Sequence, residues 1–320
     1  MRIAIVFPGQ GTQSPGMGTP WKGHRCWDTV EAAIDANSIS LTHLLCEATA
    51  AELSSTRLAQ LSVLCNSLIA WGAISEALED SSHEIVGFAG HSLGQVTALI
   101  AAGSISLNQG IGFAEVRATA TQHEASRHPG RMAAFVGASL EQAEAACDSA
   151  GDVWVANDNA PGQIVIAGTP EGVTAAIERG KELGIRKALP LAVDGAFHTP
   201  LMQGAVATLR QSLESTELKD THHCVVSNAD ATQYRDGSGW RDRLAVHPTQ
   251  RVRWRSSMEA LIREQHADAM LEVGHGSMVA GVAKRTVPGI AVLGISSPET
   301  ATSALTMLDT LATQSNRGTP

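Results

Sequence analysis

The amino-acid sequence predicts an α/β protein in which a small domain is inserted into a larger one. Short apolar runs typical of buried strands alternate with helical patterns over most of the chain. Residues 85–103 read as a buried strand, a glycine-bounded turn and an apolar helix. Residues 132–192 follow the order β-α-β-β-α-β of a ferredoxin-like unit. We therefore assign residues 1–127 and 196–320 to a large α/β domain and residues 128–195 to the small domain.

The composition is that of a globular protein with a sizeable core, with 43% hydrophobic and 17% charged residues. The formal charge of −9 argues against a nucleic-acid-binding surface. The five cysteines are scattered without a Cys-x-x-Cys pair, which favours a reducing compartment over a disulfide framework or a zinc site. The sequence contains no run of 18 apolar residues, so no membrane span is predicted. The apolar run at residues 1–7 is too short for a signal peptide. We therefore expect a cytoplasmic protein that binds neither metal nor membrane.

The first element is a β-rich run at residues 2–7, which leads into the glycine-rich turn Pro-Gly-Gln-Gly-Thr-Gln at residues 8–13. A turn of this kind at the end of a strand is a favoured ligand-facing loop in α/β proteins. Its glycines let the backbone approach a substrate closely, and Gln10 offers amide donors. An ordinary turn after an edge strand is the alternative. The phosphate-binding pattern GxxxxGK[ST] is absent.

Helices and the strand–turn–helix segment make up the remainder of the first half. Residues 56–77 repeat apolar side chains at i, i+3, i+4 and i+7, which predicts a helix packed under the sheet. Residues 108–122 form another helix, which carries Arg117. Between them, Gly-His-Ser-Leu-Gly at residues 90–94 has the pattern of a nucleophile elbow, which exposes Ser92 Oγ at the amino end of a helix. This pentapeptide is compatible with esterases and lipases in general.

The small domain follows in six elements. We predict strands at residues 132–137, 153–156, 163–168 and 186–192, helices at residues 139–149 and 169–183, and a turn at residues 157–162. The chain then enters a loop at residues 193–202 that contains His198, where the two domains would meet. The remaining elements complete the large domain. We predict a helix through Leu213, strands at residues 224–228, 269–273 and 290–295, a helix at residues 256–265 and another helix opened by residues 274–277. Residues 233–255 form a charged region.

With these segments placed, the chain resembles the malonyl-CoA:acyl carrier protein transacylase family, as a stand-alone enzyme of the fatty-acid or trans-acting polyketide type. The matching motifs are spread from end to end in the same order. They include the segments at residues 7–13, 56–60, 90–94, 132–134, 159–168, 195–202, 228–231 and 272–274, and Arg117 with Gln122 five residues on. The resemblance implies an α/β-hydrolase-like large domain with an inserted ferredoxin-like small domain.

The resemblance also implies the catalytic machinery. It makes Ser92 the nucleophile and His198 its general base. The backbone N–H groups of Gln10 and Leu93 would form the oxyanion hole. In this family a backbone carbonyl orients the histidine near a glutamine that corresponds here to His247, and the family pattern does not support Asp194 as a third member.

Substrate recognition is implied at a second set of positions. Arg117 would face the free carboxylate of a malonyl group, since a guanidinium binds a carboxylate through two hydrogen bonds. Phe197 would crowd an α-substituent, and the remaining predicted substrate-binding residues are His91, Ala120, Thr121 and Gln163. Ala120 and Thr121 stand where the family has larger residues, Gln95 replaces a glutamate and Ser277 a lysine. These departures favour a specialised member serving polyketide assembly over fatty-acid synthesis, and they leave the acyl group open.

The expected activity is therefore acyl transfer from a CoA thioester to the thiol of an acyl carrier protein. Malonyl-CoA is the expected substrate, and no bound cofactor is expected. The acidic carrier would dock on a basic patch that includes Lys284 and Arg285, and we expect a monomer. Two alternatives stay open: transfer of a larger acyl group between two carrier proteins, and hydrolysis of acyl groups from a carrier protein.

Overall fold

The structure is a computed structural model that describes residues 1–34, 39–193 and 195–317. Its main sheet has six strands: β1 (Arg2–Phe7), β2 (Glu84–Gly90), β7 (Cys224–Val226), β8 (Gln233–Tyr234), β9 (Ala269–Val273) and β10 (Ala291–Ile295). They lie in the order β10-β9-β1-β2-β7-β8. The pairs β10–β9, β9–β1, β1–β2 and β2–β7 are parallel, and β8 is antiparallel to β7.

Helices cover both faces of this sheet. They are α1 (Arg25–Ala33), α2 (Thr56–Glu79), α3 (Gly94–Ala101), α4 (Leu107–Arg127), α7 (Ala205–Glu214), α8 (Trp240–Val246), α9 (Trp254–Arg263), α10 (Met278–Thr286) and α11 (Pro298–Arg317). Two hydrophobic clusters result: one joins the β1 residues Ile3 and Ile5 to α2, and the other joins Ala4 and Val6 to α9 and α10. The strand period of two therefore divides β1 between the two faces.

The small domain has a four-stranded antiparallel sheet in the order β4-β5-β3-β6. Its elements are β3 (Arg131–Val136), α5 (Leu140–Cys147), β4 (Val153–Ala160), β5 (Gln163–Gly168), α6 (Pro170–Glu182) and β6 (Lys187–Pro190). One face packs Ala133 and Phe135 against α5 and α6. The other face packs Met132 and Ala134 against Ala196 and Phe197, beside His198. The predicted fold class, including the βαββαβ order of the insert, is confirmed.

Two sequence-based element predictions differ from the structure. The second strand of the small domain was expected to end at Ala156, but β4 continues to Ala160. Polar residues extend this strand because they find partners across the interface: Asp158 pairs with Arg255 at 2.8 Å, and Val252 N donates to Ala156 O at 2.8 Å. The charged region at residues 233–255 also contains β8 and α8, for which no element had been predicted.

Helix α2 is the central helix of the large domain. It is long and apolar enough to cross a membrane by length and composition, but 72% of its most apolar window is buried inside the protein. Its amino end is capped by Ser55, whose side chain accepts a hydrogen bond from Leu58 N. The helix is therefore a buried core element, and it carries Gln60 to the carboxyl edge of the sheet.

Candidate active site

The turn between β2 and α3 holds Ser92 in a strained conformation. Ser92 has φ 52°, a left-handed value that is uncommon outside glycine. The glycines on either side allow the backbone to close tightly: a Cβ on Gly90 would lie 1.8 Å from Gly94 O, and one on Gly94 would lie 2.6 Å from Phe7 O. The nucleophile turn is thus closed by contacts that only glycine permits.

Hydrogen bonds to Asn228, in the loop after β7, stabilise the same turn. Asn228 Oδ1 accepts a hydrogen bond from Ser92 N at 2.8 Å, and Asn228 Nδ2 donates to Gly90 O at 2.9 Å. Gln95 Oε1 in turn accepts from Asn228 N at 2.7 Å. Gln95, which stands where the related family has a glutamate, therefore acts here as a buried acceptor that holds the Asn228 loop.

His198 lies against Ser92 in the geometry of a nucleophile–base pair. Its Nε2 is 2.7 Å from Ser92 Oγ. Its Nδ1 lies 3.2 Å from His247 O and 3.0 Å from Gln250 O, and because both are acceptors, Nδ1 carries the proton. Nε2 is then the free acceptor for the Ser92 hydroxyl proton. Two backbone carbonyls thus fix the tautomer that a general base needs.

The environment keeps the His198 imidazole neutral. Burial lowers the pKa of His198 to about 3, with the positive charge of Arg117 as the next cause. Hydrogen bonds to the carbonyls of Gln250 and His247 act in the opposite direction. The imidazole is therefore unprotonated across the neutral range.

Arg117 places a buried positive charge beside Ser92. Its Nη2 donates to Ser92 Oγ at 3.3 Å, and its Nη1 donates to Gln60 Oε1. Its Nε is buried without a hydrogen-bond partner. Burial lowers the pKa of Arg117 to about 10, with no charged neighbour contributing to that shift. The guanidinium is thus desolvated and directed at Ser92 Oγ. Among the described residues, no carboxylate pairs with it.

These groups line one cavity of about 180 Å³ between the two units. Eight of the predicted site residues border it: Gln10, His91, Ser92, Leu93, Arg117, Thr121, Phe197 and His198. Its other walls include Met132 and Val165 from the small sheet and Met278 from the start of α10. The inserted unit therefore forms one wall of the site.

Two residues predicted to bind substrate lie elsewhere. Ala120 packs against the core of the large domain, whereas Thr121, one helical turn after Arg117, shares the Arg117 face of α4. Gln163 opens β5 and accepts a hydrogen bond from Arg285 Nη2 at the surface. Neither side chain borders the cavity, so we correct the predicted acyl pocket at both positions.

His247 contacts His198 through its backbone. Its carbonyl accepts from His198 Nδ1, while its imidazole is buried with both ring nitrogens unpartnered and lies 5.2 Å from the His198 ring. Burial holds the pKa of His247 well below its usual value. Asp194, the discarded candidate for a third catalytic member, lies outside the described residues.

Several polar residues at the site were not singled out from the sequence. Gln60 and Asn228 lie within segments that carried the family resemblance, but neither had been given a role. Gln250 shares the orientation of His198 through its carbonyl, for which no sequence signal exists. Asn159 Oδ1 lies 2.9 Å from His91 Nε2 and so ties the small unit to the nucleophile turn. Among the described residues, no group of three His, Cys, Asp or Glu side chains is arranged to bind a metal.

Comparison with known proteins gives one consistent result. Residues 4–317 match the acyl transferase domain family. The chain is 32% identical over 308 residues to the malonyl CoA-acyl carrier protein transacylase of Bacillus subtilis (strain 168), which covers 93% of this chain and 95% of that protein.

Solved structures agree with this relationship. A crystal structure of an acyl-carrier-protein S-malonyltransferase from Burkholderia pseudomallei 1710b matches with a TM-score of 0.89 and 32% identity, over 96% of this chain and 100% of that chain. A malonyl-transacylase in complex with its type II PKS acyl-carrier protein matches with a TM-score of 0.89 and 32% identity, over 95% of this chain and 99% of that chain.

Proposed function

The chain belongs to the malonyl-CoA:acyl carrier protein transacylase family of acyl transferases, and from that premise we propose that Ser92 and His198 perform the transfer. The enzyme is an acyl-carrier-protein S-malonyltransferase. The observation that carries the proposed site is the buried Arg117 guanidinium, held 3.3 Å from the hydroxyl of a serine that is paired with a histidine base.

In the first half-reaction, the Ser92 hydroxyl gives its proton to His198 Nε2 while Oγ forms a bond to the thioester carbonyl carbon. The carbon–sulfur bond then breaks, and the departing CoA sulfur takes the proton from Nε2. The product is malonyl-Ser92 and free CoA. In the second half-reaction, Nε2 removes the proton of the carrier thiol and the sulfur attacks the ester carbonyl carbon. The bond between this carbon and Ser92 Oγ then breaks, Oγ takes the proton from Nε2, and the products are malonyl-carrier and free enzyme.

Negative charge on the carbonyl oxygen is stabilised by the backbone N–H groups of Gln10 and Leu93. Both residues border the same cavity as Ser92, and Leu93 directly follows the nucleophile at the amino end of α3. The helix dipole favours the same charge. Losing one such donor costs about 3 kcal/mol in the transition state.

Arg117 recognises the carboxylate that distinguishes malonyl from simple acyl groups. The guanidinium is already desolvated and keeps an unpartnered Nε–H, so a carboxylate can pair with it through charge-assisted hydrogen bonds. An acyl group without a carboxylate leaves this buried charge unpaired, which is unfavourable. Phe197 and Met132 border the space beside the acyl group and restrict branching.

The two alternative functions are less well supported by the site. A cavity of about 180 Å³ suits a short acyl chain and disfavours transfer of a large acyl group between carriers. A hydrolase that acts on neutral acyl groups would not require a buried cation at the acyl position, because a neutral acyl group carries no negative charge to pair with it. Whether the malonyl group serves polyketide or fatty-acid assembly depends on the carrier protein.

The direct test is intact-protein mass spectrometry after exposure to malonyl-, methylmalonyl-, acetyl- and octanoyl-CoA. We expect a malonyl adduct on Ser92 of the wild type, none on a Ser92→Ala variant, and transfer of the adduct to added carrier protein. Octanoyl loading in preference to malonyl loading would support transfer of a larger acyl group instead. Rapid release of free malonate regardless of added carrier would identify a hydrolase.

The carrier docks, in our proposal, beside α10. This helix begins at the cavity with Met278 and carries the exposed residues Lys284 and Arg285 in its last turn, about 10 Å further along the axis. Arg285 also contacts Gln163 of the small unit, so the basic pair lies where the two units adjoin. Charge complementarity to an acidic carrier would favour association there.

A double charge reversal, Lys284→Glu with Arg285→Glu, tests this surface. We expect a tenfold or greater rise in the KM for the carrier with unchanged loading from malonyl-CoA, on the order expected for two reversed rim charges. Arg263→Glu is the control, because Arg263 is exposed in the last turn of a different helix, α9, where its Nη2 lies 3.8 Å from Glu259 of the same helix. An equal effect of the control variant, or no effect of the double variant, would contradict the docking proposal.

We also infer a cytoplasmic monomer. All five cysteines are free, and large apolar side chains exposed among the described residues are limited to Leu189, Leu191 and Met307. Light scattering on the purified protein would report the mass directly, and a dimer mass would contradict this inference.

A further inference from the structure

Behind Arg117 lie two buried polar side chains, Gln60 and Thr121, that the transfer chemistry does not itself use. Gln60 on α2 and Thr121 on α4 are 2% and 1% exposed, respectively. Gln60 Oε1 accepts from Arg117 Nη1, and Gln60 Nε2 donates to Thr121 Oγ1 at 3.2 Å. The threonine hydroxyl is therefore linked to the guanidinium through one amide.

Counting donors fixes the direction of the hydrogen bonds that link Arg117, Gln60 and Thr121. Thr121 Oγ1 lies 2.9 Å from Arg117 O and 3.3 Å from Ala118 O, so its single proton goes to a backbone carbonyl. The hydroxyl can then only accept from Gln60, which requires the NH₂ group of the amide to face it. Arg117 has no acceptor, which requires the amide oxygen to face Arg117. The two ends of Gln60 thus demand the same orientation.

We propose that Thr121 is a positioning residue that fixes the Gln60 amide, and through it the Arg117 guanidinium, in the orientation that selects acyl groups bearing a carboxylate. This rests on the proposed role of Arg117. Thr121 acts through Gln60 on a cation whose Nη2 reaches Ser92 Oγ, so its hydroxyl affects the reaction without hydrogen-bonding to the acyl group.

The expected consequence follows from the low dielectric of the site. Without the Thr121 hydroxyl, the buried Gln60 NH₂ group loses its partner and the amide is free to rotate. Arg117 then spends less time in the one orientation that pairs with a carboxylate at the reacting centre. An acetyl group makes no such pair, so its loading depends little on how Arg117 is held.

The experiment compares loading of Ser92 from malonyl-CoA and from acetyl-CoA in Thr121→Val, Thr121→Ser and wild type. Valine keeps the volume and removes the hydroxyl, whereas serine restores it. We expect Thr121→Val to lower kcat/KM for malonyl loading about fivefold, the effect of one buried hydrogen bond. Acetyl loading should change less than twofold, and Thr121→Ser should retain most of the malonyl preference.

Two controls separate positioning from stability. Thr216→Val removes a comparable buried hydroxyl, which donates to Ser212 O four residues earlier at 3.0 Å, and should leave both loading reactions unchanged. If Thr121 acts through Gln60, adding Thr121→Val to a Gln60→Ala variant should cause no further loss of malonyl loading.

The outcomes are distinguishable. Equal losses of malonyl and acetyl loading in Thr121→Val, or full additivity with Gln60→Ala, would overturn the inference while leaving the transferase assignment intact. A wild type that does not load malonyl on Ser92 would instead overturn the proposed function, before any variant is compared.

Discussion

Replacing Arg117 with methionine separates its role in recognition from any role in folding. Methionine keeps an unbranched apolar stem in the same buried position and removes the guanidinium. The Arg117 side chain lies on α4 against Gln60 and Ser92, and burial lowers its pKa. The substitution should therefore weaken malonyl loading while leaving the fold intact.

The structure gives the expected magnitude of the change in the free energy of unfolding and of the change in malonyl loading. Lowering the pKa of Arg117 from 12.5 to about 10 corresponds to about 3 kcal/mol of destabilisation of the charged side chain at every pH below that value. Two hydrogen bonds, to Gln60 and Ser92, offset about 2 kcal/mol of this. The free energy of unfolding of Arg117→Met should thus equal or slightly exceed that of the wild type. Pairing with Arg117 stabilises the malonyl carboxylate in the transition state by about 3 kcal/mol or more. Removing the guanidinium in Arg117→Met should therefore lower kcat/KM for malonyl loading about a hundredfold.

The assay is rapid-quench loading of the enzyme with malonyl-CoA and acetyl-CoA, followed by intact-protein mass spectrometry. Urea unfolding of the same preparations measures stability. We expect the hundredfold malonyl defect together with unchanged or improved acetyl loading. Parallel losses for both acyl groups, or a drop of several kcal/mol in unfolding free energy, would refute the reasoning and make Arg117 a structural residue.

Three further predictions concern the turn and the histidines. Gly90→Ala should destabilise the protein by about 3 kcal/mol or more, because its Cβ would lie 1.8 Å from Gly94 O; Gly112→Ala, with open space around its Cβ, should stabilise by about 0.5–1 kcal/mol in urea unfolding. Burial keeps His247 neutral in the folded state, whereas its imidazole binds a proton below about pH 6.5 in the unfolded chain, so the free energy of unfolding falls with acidification. Between pH 7.5 and 5.5, the free energy of unfolding of the wild type should fall by about 1.3 kcal/mol more than that of His247→Gln. The charge of Arg117 lowers the pKa of His198, so the acidic limb of the pH–rate profile for acetyl loading should move to higher pH in Arg117→Met.

Much of the site could be anticipated from local sequence because its parts are local structures. The strand, glycine-bounded turn and helix around Ser92 specify the conformation of this serine within a few residues, since backbone sterics alone require Gly90 and Gly94. The period of α4 likewise places Thr121 on the Arg117 face one turn away. Residues that contribute only a backbone group could not be predicted from the sequence. Gln250 is one, because its carbonyl would accept the hydrogen bond from His198 whatever side chain the residue carried.

The sequence by itself determined the α/β class, the βαββαβ insert, the nucleophile turn and the family, because each depends on periodicity or on motifs written in adjacent residues. Only the tertiary structure decided which polar groups meet. It carried β4 to Ala160 so that Asn159 reaches His91, and it set Gln60 between Arg117 and Thr121. It also turned Ala120 and Gln163 away from the cavity. These outcomes depend on packing between segments far apart in the chain, and a buried hydrogen bond has no signature until both partners are in place.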